Sequence, residues 1–242
     1  MRFFPAEVEG ITALGRYVLL SYRWPGEPPE PGQFVMARPA GWGLCMDPFL
    51  ARPFSVYDYE DGVARLLFEV RGRGTALLAR SSGGVEVSAP LGRPFSVRRE
   101  GPAALLGGGV GVAPLRLLSR RLGEAGVEHR IFLGFADAGF AGAADGFCDP
   151  VVATMDGSAG VRGTVLEAAG DLRGYRTVYA CGPNPMLAAV KRAAGPEAQL
   201  SVEERMGCGN GSCNGCVVPV AGGGYVRSCV EGPVFDAGVL AW

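Results

Sequence analysis

Four cysteines near the end of the sequence carry its clearest chemical signature: Cys208, Cys213, Cys216 and Cys229, spaced C-x4-C-x2-C-x12-C. Three thiols delivered from one tight loop, with a fourth on a returning segment, suit an inorganic centre in which sulfide bridges iron atoms. The residues between the first three are Gly, Asn and Ser. Such residues turn easily at positive φ and bring backbone N–H groups up to sulfur, where they would stabilise the reduced, more negative state. The loop therefore predicts a [2Fe–2S] centre with these four ligands. Zinc more often takes two separate C-x(2–4)-C pairs, and disulfides need an oxidising compartment. No basic run followed by an apolar stretch and a small-residue cleavage site opens the sequence, which predicts a reducing cytoplasm.

Two spots in the first third also suggest chemistry. In Arg52-Pro53-Phe54-Ser55 a guanidinium sits beside a rigid proline at a strand start, with a hydroxyl three residues on. Arg presents a fork matched to phosphate oxygens, and Ser can hydrogen-bond a ring nitrogen. Arg71-Gly72-Arg73-Gly74-Thr75 follows a strand ending at Val70; bare glycine backbone before a short helix suits a pyrophosphate. Each alone reads equally as an ordinary strand start or surface turn. Further on, Gly107-Gly108-Gly109-Val110-Gly111-Val112-Ala113-Pro114 joins a buried-strand run, Ala103 to Leu106, to a helical stretch over 115–123. Strand, glycine turn and helix place backbone donors where a dinucleotide pyrophosphate can sit. Pro114 takes the third glycine's place and no acidic residue marks the ribose position, so NAD and NADP both stay open. Cys181-Gly182-Pro183 ends a second strand, 177–180, and precedes a helix over 184–194. Strand C-termini in such sheets face the ligand crevice, which sets Cys181 beside a nicotinamide ring. The single histidine, His129, leaves acid–base chemistry little to build on, and Cys45 and Cys148 read as packing cysteines.

The elements that must position these groups follow from texture. Over residues 1–99, short alternating or β-branched runs broken by Gly, Pro, Asp and Ser predict a small antiparallel barrel. Residues 100–202 alternate strands with helices, an α/β nucleotide-binding unit, and residues 203–242 form a short cysteine-bearing segment. With 242 residues, 48% of them hydrophobic, the chain can bury such cores. A net charge of −1 argues against nucleic acid or an anionic membrane as the main partner. No apolar run approaches the roughly 20 residues of a membrane span.

The order of these features resembles the ferredoxin–NADP reductase superfamily: Arg52 to Ser55, then Gly109 to Pro114, then Cys181-Gly182-Pro183 with Met186. The tail, Glu203-Glu204-Arg205-Met206-Gly207-Cys208-Gly209 through Cys216 and Cys229-Val230-Glu231-Gly232-Pro233-Val234-Phe235, narrows the match. It is similar to electron-transfer subunits of the heteromeric, NAD-linked (type B) dihydroorotate dehydrogenases of pyrimidine biosynthesis. That resemblance implies a barrel holding FAD through Arg52 to Ser55, Glu69-Val70-Arg71 and Gly74-Thr75, and an NAD site at Gly109, Gly111, Cys181 and Gly182. It also implies a [2Fe–2S] cluster on the four cysteines. The implied partner is an FMN-bearing TIM-barrel subunit in a heterotetramer. Electrons would run from its FMN through the cluster and FAD to NAD⁺.

On this reading Ser55 tunes the flavin ring, Arg52 and Gly74-Thr75 hold the pyrophosphate, and Cys181 abuts the nicotinamide. A flavin is needed as converter because a cluster passes single electrons while a nicotinamide takes a hydride. The competing readings are a flavin and iron–sulfur subunit of another NAD(P)-linked complex, of hydrogenase, sulfide dehydrogenase or transhydrogenase type, and a zinc-stapled nucleotide-binding interaction module. An oxygenase reductase with a C-terminal ferredoxin is disfavoured, because the tail is too short for an independent domain.

Overall fold

A computed structural model describes residues 1–42 and 46–242; Cys45 lies outside the described residues. The alternation in the first third builds strands β1 (Phe3–Ala6), β2 (Val8–Leu14), β3 (Tyr17–Arg23), β4 (Phe34–Pro39), β5 (Arg52–Glu60) and β6 (Val63–Glu69). Helix α1 (Arg73–Leu78) and strand β7 (Val85–Ser88) follow. These strands form one antiparallel sheet in the order β1-β7-β4-β5-β6-β3-β2. Its inward residues, among them Leu20, Tyr22, Val35, Val56, Leu66 and Val87, form a core that Leu117 from beyond these strands completes. A register shift between Val56 and Asp58 bends β5 at its middle, as a bulge does.

The second sheet is parallel where the sequence predicts strand–helix alternation. Its elements are β8 (Ala103–Gly108), α2 (Ala113–Glu124), β9 (His129–Phe135), α3 (Ala138–Ala141), β10 (Val151–Thr154), β11 (Val161–Arg162), α4 (Val165–Ala169), β12 (Thr177–Gly182), α5 (Asn184–Ala194) and β13 (Gln199–Val202). β8 and β12 are buried at every residue, which explains their unbroken apolar runs. The strand order β11-β10-β9-β8-β12-β13 puts the two together, so the chain reverses direction across the sheet between them. Ligands of open α/β sheets bind at such a point.

The tail adds a hairpin, β14 (Val217–Pro219) and β15 (Tyr225–Arg227), and then β16 (Val234–Asp236), which pairs antiparallel with β13 and extends the α/β sheet. No described helix is long and apolar enough to cross a membrane. Cys148, expected to pack, is exposed. The inward position in its turn belongs to Phe147, which stacks edge-on against Tyr57 at 6.3 Å, and Asp149 next to it turns at φ +48°. His129 is structural: its ring nitrogens meet Ser119 Oγ and the Val127 carbonyl, each at 2.9 Å.

Candidate cofactor-binding site

β5 carries Arg52 to Ser55 on its first four residues, and its neighbour β6 ends at Glu69. Together with the end of β12 they enclose a cleft of about 270 Å³. Its wall brings together Arg52, Pro53, Phe54, Ser55, Glu69, Arg71, Thr75, Gly111 and Cys181, residues up to 129 positions apart (181 − 52). Val70, Gly74, Gly109 and Gly182 lie outside this wall. Val70 is exposed and Gly74 is buried. A Cβ on Gly74 would stand 2.4 Å from Arg52 Nε, so the bare glycine is the seat of the guanidinium. Thr75 Oγ1 accepts the N–H groups of Arg71 and Gly72 at 3.0 and 3.2 Å, which fixes the turn into α1. Arg71 pairs with Glu69 at 2.6 Å. These residues fit an FAD in kind: a fixed guanidinium and glycine cradle for a pyrophosphate, with apolar Phe54 and a hydroxyl at Ser55 further along the strand.

On the facing wall, Gly111 lets the glycine turn close onto β12. A Cβ there would meet the Cys181 carbonyl oxygen at 2.5 Å. Cys181 is 2% exposed. Burial, aided by the nearby Glu203 charge, pushes its thiol well above the usual range despite a hydrogen bond with Ser201, so it stays a neutral thiol near pH 7. Two residues, one in the cleft and one behind it, escape sequence reasoning as chemical groups. Glu203 lines the cleft; desolvation raises its pKa and Arg71 opposes this. Tyr17, from β3, lies behind the cleft wall in the apolar core, its hydroxyl about 4.0 Å from where a Gly109 Cβ would be, and burial and Glu69 raise its pKa. The tail motif signalled Glu203 only as part of a pattern. Nothing local marks Tyr17.

The cysteine loop lies beside the cleft. Met206 and Pro233 line the cleft itself, and Cys208 lines a neighbouring groove with Met36 and Trp42. Gly209, Gly211 and Asn214 take φ of +69°, +83° and +53°, the turns that this composition predicts. Backbone N–H groups then face sulfur: Cys213 N–H donates to Cys208 Sγ and Gly215 N–H to Cys213 Sγ, both at 3.4 Å. Burial pushes the Cys208 thiol up, but donors from Asn210, Cys213 and Ser212 outweigh it and bring it down to about 7. Cys216 and Cys229 pack together in a buried cluster with Phe34 and Met36, and burial and the Cys216 thiol push Cys229 up to about 12. No three His, Cys, Asp or Glu among the described residues converge as a single-ion site. Thiols ringed by backbone donors fit a sulfide-bridged centre, which needs negative sulfur hydrogen-bonded from the loop.

A barrel and a parallel sheet sharing one cleft, with a cysteine loop at its rim, define a reductase of the ferredoxin reductase fold that carries FAD, NAD and an iron–sulfur cluster. Residues 203–241 match the family described as the iron–sulfur cluster binding domain of dihydroorotate dehydrogenase B. The chain is 41% identical over 228 residues to the dihydroorotate dehydrogenase B (NAD(+)) electron transfer subunit of Geobacillus thermodenitrificans, covering 86% of each. It is 39% identical to that of Bacillus velezensis, covering 88% of this chain and 87% of the relative. A solved NADH-dependent reduced ferredoxin-NADP oxidoreductase, described for flavin-based electron bifurcation, superposes with a TM-score of 0.82 at 27% identity. The match covers 98% of this chain and 90% of that one. The chain belongs to the family of dihydroorotate dehydrogenase B (NAD(+)) electron transfer subunits.

Proposed function

We propose that this chain carries electrons from a separate dihydroorotate-oxidising subunit to NAD⁺ in pyrimidine biosynthesis. On this reading Cys208, Cys213, Cys216 and Cys229 hold a [2Fe–2S] cluster. Arg52 and Gly74-Thr75 bind the pyrophosphate of FAD, with Pro53, Phe54, Glu69, Val70 and Arg71 completing its site. Ser55 orients the flavin ring by hydrogen bonding. Gly109 and Gly111 receive the dinucleotide, and Cys181 with Gly182 packs against the nicotinamide. The observation that carries the proposal is the single cleft in which β5, the end of β12 and the cluster segment meet. FAD supplies the exchange between one-electron and hydride chemistry that the other two carriers need. The chain's own residues hold the carriers, exclude water and keep the Cys181 proton in place.

The three units implied by the sequence, 1–99, 100–202 and 203–242, correspond on this reading to flavin, nucleotide and cluster binding. The partner is an FMN-bearing TIM-barrel subunit, joined in a heterotetramer in the cytoplasm. The likeness to the bifurcating oxidoreductase favours one second reading, a subunit of a transhydrogenase-type complex. Affinity purification of the full chain from its source decides between them. The proposal expects a copurifying FMN protein and dihydroorotate-dependent reduction of NAD⁺; a complex lacking both would overturn it.

A further inference from the structure

One arginine links the two parts of the cluster segment. Arg227, the last residue of β15, places Nη2 2.5 Å from Glu231 Oε1 and Nε 3.2 Å from Oε2, and its backbone N–H donates to Oε2 at 2.7 Å. Its remaining arm, Nη1, donates to the Gly211 carbonyl at 3.3 Å. Gly211 lies between Cys208 and Cys213, whereas Glu231 lies just beyond Cys229. The guanidinium therefore ties the loop with three ligands to the segment with the fourth. Gly211 permits this closure, since a Cβ there would stand 2.7 Å from Val230.

The next residue is tied to the same centre. Ser228 N–H donates to the Cys216 carbonyl at 2.9 Å. Its hydroxyl is wholly buried, yet Oγ has no hydrogen-bond partner among the described residues. A buried hydroxyl left unsatisfied costs free energy, and such a group calls for a partner that arrives with a ligand. Ser228 sits directly before one ligand and is bonded to the backbone of another, so the acceptor at hand is sulfur.

We propose that Ser228 tunes the iron–sulfur centre: its hydroxyl donates to a sulfur of the bound cluster, and the Arg227–Glu231 pair holds the segment in place for that bond. This rests on the reading that the four cysteines ligate the cluster. Reduction adds negative charge that spreads onto sulfur, so a donor there favours the reduced form and raises the potential. Ser228 is a positioning and tuning residue; it transfers no electron itself.

The test is an anaerobic redox titration of the full chain with its cofactors, followed by electron paramagnetic resonance, with iron and flavin counted beforehand. Ser228→Ala is expected to keep wild-type iron and FAD but shift the cluster midpoint downward. The expected size is about a ten-fold change in the reduced-to-oxidised ratio, which is about 59 mV for one electron. Ser228→Thr, which keeps the hydroxyl, should restore much of the shift. A wild-type midpoint in Ser228→Ala overturns the tuning bond. Should that variant lose its cluster, Ser228→Cys, a weaker donor of similar size, must give an intermediate midpoint, and an unchanged one overturns the proposal. Arg227→Ala should release iron to a chelator at least ten-fold faster with FAD retained; equal rates overturn the clasp. A wild-type chain without cluster bands removes the underlying reading, a result distinct from a cluster whose midpoint ignores Ser228.

Discussion

Cys181 illustrates how a thiol in the wall of a cleft can be unreactive. Its burial and raised pKa keep it a neutral thiol, so Cys181→Ala should preserve flavin content and alter hydride exchange with NAD through packing alone. Alkylation rates of native protein, near zero at Cys181, would check the thiol's inertness; rapid labelling there would contradict it. Gly74 offers a sharper test. A Cβ would push against the Arg52 guanidinium, the movable end of a flexible side chain, so Gly74→Ala should barely change stability. FAD retention should fall about ten-fold or more, since a hydrogen bond to a charged group contributes roughly 1.5–3 kcal/mol. Equilibrium dialysis of the variant measures this. Cys213→Ser should remove the cluster signal while FAD stays bound, because the cleft proposed for the flavin does not include Cys213. Most of these residues were legible from type and spacing. Tyr17 and Asp58 were not, since their partners are brought to them only by the fold.

At the scale of elements, the parts that read well are those whose pattern needs no partner to declare itself. The helix expected over 184–194 is α5 at the same bounds, and the strand ending in Cys181 is β12. The short strands β10, β11 and β13 do not declare themselves: too few residues carry a period there, and their strand character comes from neighbours in the sheet. β16 was hidden for a further reason, because the motif Gly232-Pro233-Val234-Phe235 reads as a family mark and its pairing with β13 is purely tertiary. The glycine turn after β8 has a function that composition alone does not reveal. Gly111 is where the turn touches β12, so Gly111→Ala should separate the two. A loss of about 1–3 kcal/mol, the usual range for overpacking, and a raised KM for NAD⁺ are expected. Chemical denaturation and steady-state kinetics together check it; normal values of both would refute the contact.

The barrel and the α/β sheet share an apolar seam, with Tyr17, Tyr57 and Leu67 packed against Leu115 and Leu118, and a buried charge cluster fastens them as well. Asp58, in β5, is 3% exposed and receives Arg120 of α2 at 2.9 and 2.8 Å, with Arg116 and Arg65 each 3.5 Å away. Burial pushes its carboxyl up, but Arg120 and Arg116 outweigh this and hold it below the ordinary carboxylate range. A depressed folded pKa contributes stability that is complete above the unfolded value of about 3.9 and is lost as pH falls through the folded one. Asp58→Asn should therefore cost about 3 kcal/mol at pH 7, with the gap to wild type closing below about pH 4. Denaturation of both proteins at pH 7 and pH 3 tests this, and an equal gap at both would count against it. The cluster segment is anchored differently. It leaves the sheet at Val202 and re-enters it at Val234, where β13 and β16 run side by side and Val202 N–H donates to the Pro233 carbonyl at 2.9 Å. Many electron carriers ride on tethered domains that must swing between donor and acceptor. A carrier whose two ends are sewn into adjacent strands has no swing to make, so its internal electron transfer should be indifferent to solvent viscosity, and adding glycerol or sucrose should slow only the encounter with NAD⁺.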